Sequence, residues 1–285
     1  EQMVLTVSKT GYAKTQPLSD YTAQRRGGRG KSATSMKTDD YIQHLIVTSN
    51  HATVLCFTNV GKVYRLKVYE VPQASRGAKG RPMVNLLPLD ANETITAILP
   101  VIDAPKKFKD RLVDFQAFVK ANAAKLQENE VINSHFAELE AALAELEDGA
   151  DDLSDALRIQ LKQLGLELST TDLDDEIIID FAQQAEAVRK NFYVFMATEY
   201  GTIKRVELEQ FSNVRSNGLR AIELNGDDTL IGVAITDGEQ QIMLFSNEGK
   251  AIRFAETDVR SMGRSAKGVR GMRVTIGAAA LLEDA

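Results

Sequence analysis

The chain has 285 residues, 44% hydrophobic and 26% charged. That composition fits one large domain or two ordinary ones and excludes wholesale disorder, collagen and a mucin-like stalk. A single cysteine, Cys56, excludes an intrachain disulfide scaffold and fits a reducing compartment, and no apolar run approaches the roughly 18–20 residues that span a bilayer.

The formal charge of −6 hides an uneven distribution. Residues 103–190 hold 10 Lys+Arg and 20 Asp+Glu, and the other 197 hold 24 and 20, so a mildly basic body is interrupted by an acidic segment. The sequence starts with no basic segment followed by an apolar one, so no signal peptide is expected. Residues 1–12 read as a strand from a longer chain.

In chain order, the first element is a strand over Val4–Val7, followed by Gly11, Lys14 and Tyr21. An Arg/Gly-rich loop around Arg26, Arg29 and Gly30 comes next, then a late strand at Leu45–Val47. The pattern returns with Val54–Phe57, Gly61, Lys62 and Arg65, Val71, the loop Arg76-Gly77-Ala78-Lys79-Gly80-Arg81, and a late strand at Ile95–Leu99. A third copy follows the acidic segment: Val194–Ala197, Gly201, Lys204 and Arg205, Phe211, a shorter loop with Arg215 and Gly218, then Leu230–Ile235. The fourth has Ile242–Phe245, Gly249, Lys250 and Arg253, Val259, and Arg264, Lys267, Gly268 and Arg270. Each first strand begins seven residues before its glycine. Multi-stranded repeats of this length have the spacing of propeller blades. The expected fold is mainly β and propeller-like, with about four blades: 1–102 as blades one and two, 191–285 as blades three and four.

The interruption at 103–190 has a helical period. Phe108, Leu112, Phe115 and Val119 share one face, as do Phe136, Leu139, Leu143 and Leu146, and Leu153, Leu157, Leu161 and Leu164. Asp151 and Asp152 suit a helix N-terminus, and Gly149 and Gly165 read as stops. Three or four amphipathic helices with a solvated acidic outer face are expected.

Chemistry concentrates in Gln24-Arg25-Arg26-Gly27-Gly28-Arg29-Gly30-Lys31. Arginines give bidentate contacts to phosphate and glycines let the backbone approach closely. The expectation is sequence-independent, salt-sensitive contact with a nucleic-acid backbone. Arg25, Arg26 and Arg29 are assigned to phosphates and Gln24 to hydrogen bonding, with Gly27, Gly28 and Gly30 for close approach and Lys31 beside them. Weaker contacts are expected from Lys14, Arg65, Arg76, Lys79, Arg81, Lys204, Arg205, Arg215, Arg264, Lys267 and Arg270. A P-loop is rejected, since its first glycine would fall on Arg25 and no helix start follows Lys31. His44, His51 and His135 are isolated from metal-ligating partners, and Cys56 reads as core.

The stretch QRRGGRG at 24–30 resembles the seven-residue box of the C-terminal domain of the DNA gyrase A-subunit, with Arg29 where the family form has Lys. The flanks Gly11–Lys14, Pro17–Tyr21, Arg76–Leu89, Met243–Ser246 and Gly268–Gly271 agree with it. The resemblance implies a β-pinwheel, whose blades exchange strands and whose basic perimeter wraps duplex DNA with positive handedness. That wrap would support ATP-dependent negative supercoiling by the complete enzyme. It further implies a cytoplasmic, nucleoid-associated protein. Its partners would be double-stranded DNA, the rest of the A-subunit, and the B-subunit, in an A2B2 enzyme. Catalytic residues, ATP and magnesium would belong to those other parts, leaving no cofactor, metal or catalytic residue in this chain. The family pattern has six blades and no helical insert, so two blades are expected beyond this chain or missing from it. The alternatives are a propeller-like protein-interaction scaffold and the equivalent domain of topoisomerase IV, whose versions of the box are degenerate or missing.

Overall fold

The apolar runs Val4–Val7, Val54–Phe57 and Val194–Ala197 are continuous because both of their faces are buried. In a computed structural model describing residues 1–21, 26, 39–101, 107–146, 152–171, 173–274 and 279–283, the chain divides into two units. One comprises residues 1–105 and 193–285, the other 106–192.

Among its described residues the first unit holds four antiparallel sheets. The first is built from β1 (Gln2–Ser8), β2 (Tyr12–Pro17) and β3 (Ile42–Ser49). The second uses β4 (Thr53–Thr58), β5 (Lys62–Lys67) and β7 (Ile95–Val101), and the third β8 (Tyr193–Thr198), β9 (Thr202–Glu207) and β11 (Leu230–Thr236). The fourth uses β12 (Gln241–Ser246), β13 (Ala251–Ala255) and β15 (Ala279–Glu283). Three very short strands complete the set: β6 (Arg81–Pro82), β10 (Leu219–Arg220) and β14 (Val269–Arg270).

Each short strand pairs one sheet back. The strand orders are β3-β1-β2-β6, β10-β5-β4-β7 and β11-β8-β9-β14, and the fourth is β13-β12-β15. The second, third and fourth repeats therefore each lend a strand to the preceding sheet. This is the strand exchange of a β-pinwheel. At the opposite edge, the last strands of successive sheets touch: β3 meets β7, β7 meets β11, and β11 meets β15. The exchanged strands consequently form the outer edges.

Period-two alternation builds the core between sheets. Val54 and Cys56 pack with Met3, Leu5 and Val7, whereas Leu55 and Phe57 pack with Val194 and Met196. Phe195 and Ala197 turn the other way, onto Ile242 and Leu244. Fully burying one such side chain contributes about 1.5–3 kcal/mol. Cys56 is fully buried, and burial pushes its thiol up to about 12.

The second unit contains α1 (Phe108–Ala121), the single turn α2 (Ala123–Leu126), α3 (Glu130–Ala144), α4 (Asp155–Ser169) and α5 (Glu176–Arg189). Its own core joins Phe108, Leu112, Phe115, Phe136, Leu139, Leu157, Leu161 and Phe181. Asn129, Ser154 and Asp175 cap α3, α4 and α5 by accepting backbone N–H bonds. One expectation is corrected. Gly165 is no stop, because Leu164 and Leu168 carry the buried stripe of α4 past it. Four amphipathic helices, α1, α3, α4 and α5, are present among the described residues, within the expected three or four, and the single turn α2 adds to them.

Candidate nucleic-acid interface

Three exchange segments carry seven of the fifteen candidate cations: Arg76, Lys79, Arg81, Arg215, Arg264, Lys267 and Arg270. Each is anchored in the same way, at the glycine that turns the hairpin of the preceding sheet. The Gly11 carbonyl accepts from Met83 N (2.7 Å), that of Gly61 from Ala221 N (2.8 Å), and that of Gly201 from Gly271 N (2.9 Å). The first and third of these segments then run beside the hairpin's second strand, with parallel bridges Thr15–Gln73 and Arg205–Ser261. Gly80 and Gly268 sit at φ +89° and +93°, where a Cβ would lie 2.3 Å from Ala13 O and 2.4 Å from Ile203 O. Only glycine permits that backbone and that approach together.

This packing decides which cations face solvent. Arg65, Arg81, Arg215, Lys267 and Arg270 are exposed. Arg76, Lys79 and Arg264 are half-buried. The Lys79 ammonium lies 3.6 Å from the Tyr12 ring centre and the Arg76 guanidinium 5.5 Å from that of Tyr21. Arg81 and Arg270 lie on exchanged strands at the outer edges of the first and third sheets. The second sheet carries Arg220 there, 65% exposed. Arg220 ends the third repeat's thin basic loop but is assigned no contact from sequence, although its place two after the left-handed Gly218 matches Arg270 after Gly268.

Three candidates do not belong to a charged surface. Lys14 is 2% exposed, and its Nζ donates to the carbonyls of Ser75 (3.0 Å), Arg76 (2.9 Å) and Ala78 (2.9 Å). Lys204 is 0% exposed, and its Nζ donates to the carbonyls of Ala221 and Arg264. Burial holds the Lys14 amine below its usual range, and burial with the nearby Arg264 guanidinium pushes that of Lys204 to about 8. Arg205 is also buried, stacked over Tyr193 at 4.3 Å and 3.7 Å from the buried Glu256 carboxylate. These three tie exchange segments and sheets together rather than presenting charge.

Of the basic cluster, Gln24, Arg25, Gly27, Gly28, Arg29, Gly30 and Lys31 lie outside the described residues, and Arg26 is exposed. Among the described residues, no three His, Cys, Asp or Glu side chains converge as a metal site, and no helix is long and apolar enough to cross a membrane.

Known proteins resemble this arrangement in sequence and in fold. The family model described as DNA gyrase C-terminal domain, beta-propeller, matches residues 2–49, 52–102, 193–237 and 240–277. The chain is 47% identical over 274 residues to the DNA gyrase A-subunit of Pseudomonas aeruginosa, covering 96% of this chain and 25% of that protein. It is 40% identical over 276 residues to that of Haemophilus influenzae, covering 97% and 22%. It thus spans about a quarter of the length of these curated relatives. Among solved structures, the C-terminal domain of DNA topoisomerase IV superposes with a TM-score of 0.59 at 22% identity, over 100% of this chain and 62% of that one. A DNA gyrase A C-terminal domain gives 0.53 at 19% identity, over 99% and 65%. At such identities the likeness is one of fold.

Proposed function

The chain belongs to the DNA gyrase C-terminal domain family, and from that premise we propose that it holds duplex DNA along the outer edges of its sheets and bends it into a wrap. One observation carries the reading: three successive sheets end in a borrowed strand, and each borrowed strand bears an exposed arginine, Arg81, Arg220 or Arg270. Smoothly bending 20–30 base pairs through 40–90° costs on the order of 1–6 kcal/mol. Cations on several sheets share that cost, whereas a single loop would have to meet it alone. The contacts are to phosphate, so they carry no sequence preference and weaken steeply with salt.

In this reading the cluster at 24–31 adds phosphate contacts to those of the perimeter, and the wrap has positive handedness. It would present a second DNA segment to the cleavage machinery in the rest of the A-subunit. Together with the B-subunit, in an A2B2 enzyme of the cytoplasm, it would let ATP-driven strand passage introduce negative supercoils. The catalytic groups, ATP and magnesium belong to those other parts.

The test is duplex binding against salt, with a plasmid-ligation assay for wrapping. Changing Arg81, Arg220 and Arg270 together to Gln should lower the slope of log affinity against log salt by up to about 0.9 for each phosphate no longer neutralised. Changing Arg25, Arg26 and Arg29 to Ala should abolish the linking-number shift while leaving much of the affinity. Salt-independent binding, or no binding, would favour a protein-interaction scaffold.

A further inference from the structure

We infer that Glu223 competes with phosphate for two perimeter cations and makes the junction of the third and fourth repeats' exchange segments the weakest hold on DNA. This rests on the DNA-binding reading above. Glu223 follows β10 by three residues. Its carboxylate stands 3.9 Å from Arg220 Nη1 through one oxygen and 3.9 Å from Lys267 Nζ through the other. Its own N–H donates to Ala266 O at 3.4 Å, which seats it between the segment that carries Arg220 and the one that carries Lys267.

Stability gives no reason for this carboxylate. Exposed pairs at such distances contribute roughly 0–1 kcal/mol, and all three side chains are exposed to solvent. The repeats also differ here. Five residues after the left-handed glycine, the second repeat has Asn85, the fourth has Arg273, and only the third has an acid. The third repeat is also two residues shorter between its glycines than the second and fourth. A phosphate approaching Arg220 or Lys267 must displace a carboxylate already within ion-pair reach of both.

The experiment measures binding of a linear duplex to the full chain between about 50 and 200 mM salt. Glu223→Gln is expected to bind about threefold to tenfold tighter at the low end, with a salt slope steeper by about 1–2, as Arg220 and Lys267 become free to displace counterions. Glu140→Gln, on exposed α3 surface, removes the same net charge and should change neither. In an Arg220→Gln, Lys267→Gln background, Glu223→Gln should add nothing. A Glu223→Gln variant matching wild type overturns the inference. So does one matching Glu140→Gln, or one whose gain survives in that background. A wild type that binds no duplex overturns the DNA-binding reading as well.

Discussion

Lys14 and Lys204 hold the same place in the first and third repeats, three residues after Gly11 and Gly201, and each donates to the next repeat's exchange segment, Lys14 to the Arg76 carbonyl and Lys204 to that of Arg264. They differ in one respect. Lys14 has three carbonyl partners, which use every proton of an ammonium, whereas Lys204 has two, which a neutral amine still satisfies. In the second repeat the same place is Tyr64, whose ring packs on Gly218 and whose hydroxyl donates to the buried Glu93.

Lys14→Met should therefore loosen the segment from Ser75 to Lys79. Carbonyls left without a donor cost about 1–3 kcal/mol, and that loss should appear in denaturant unfolding, with faster proteolysis after Arg76 or Lys79. Wild-type stability in this variant would show that the three bonds contribute nothing net.

Lys204 sets a pH dependence. Its amine is pushed from 10.5 to about 8 in the folded chain. Between those values the unfolded chain holds a proton that the folded chain has released, so stability rises with pH across that window. Relative to Lys204→Met, the wild type should gain up to about 1.4 kcal/mol per pH unit from about pH 8 towards 10. Below pH 8 the difference should be flat. A flat difference throughout would contradict the shift.

Glycine substitutions should split by position. Gly80→Ala and Gly268→Ala face both a left-handed backbone and a carbonyl oxygen, and each should cost at least about 1–3 kcal/mol of unfolding free energy. Gly165→Ala meets open space within α4 and should stabilise the helical unit by about 0.5–1 kcal/mol. Thermal unfolding of the three variants distinguishes these signs.

Tyr12 positions Lys79 across a 3.6 Å cation–π contact. Such contacts are worth about 0.5–1 kcal/mol at exposed sites. Tyr12→Ala should weaken duplex binding about twofold to fivefold, and Tyr12→Phe should restore it. Equal affinities would show that Lys79 needs no support.

Much of this was readable in the sequence, and the exceptions share a cause. The apolar runs became β1, β4 and β8 because residues buried on both faces leave continuous hydrophobicity, whereas in β12 only the alternate residues Ile242 and Leu244 are buried. The exchanged strands left no such trace: Arg81–Pro82, Leu219–Arg220 and Val269–Arg270 are too short for any period and pair only through the tertiary fold. The same holds for Lys14, Lys204 and Arg205. A lysine or arginine in a sequence reads as solvated by default, and only the carbonyls that the fold gathers, Ser75, Arg76 and Ala78 for Lys14 and Ala221 and Arg264 for Lys204, make the two lysines interior anchors. Helix α5 went unread although Asp175 caps it, and β15 because Ala-Ala-Leu-Leu-Glu has little β character.

The helical unit also has a temporal consequence. β6 reaches back to β2 once β3, β4 and β5 have been made, but β10 pairs with β5 only after residues 106–192 have also emerged between them. At about 5–20 residues per second, synthesis of that unit alone leaves β5 with a bare backbone edge for several seconds. Unpaired edges of this kind invite pairing with another nascent chain. The second sheet is thus the one whose borrowed strand is made latest, and slower synthesis of the helical unit lengthens the exposure of its edge.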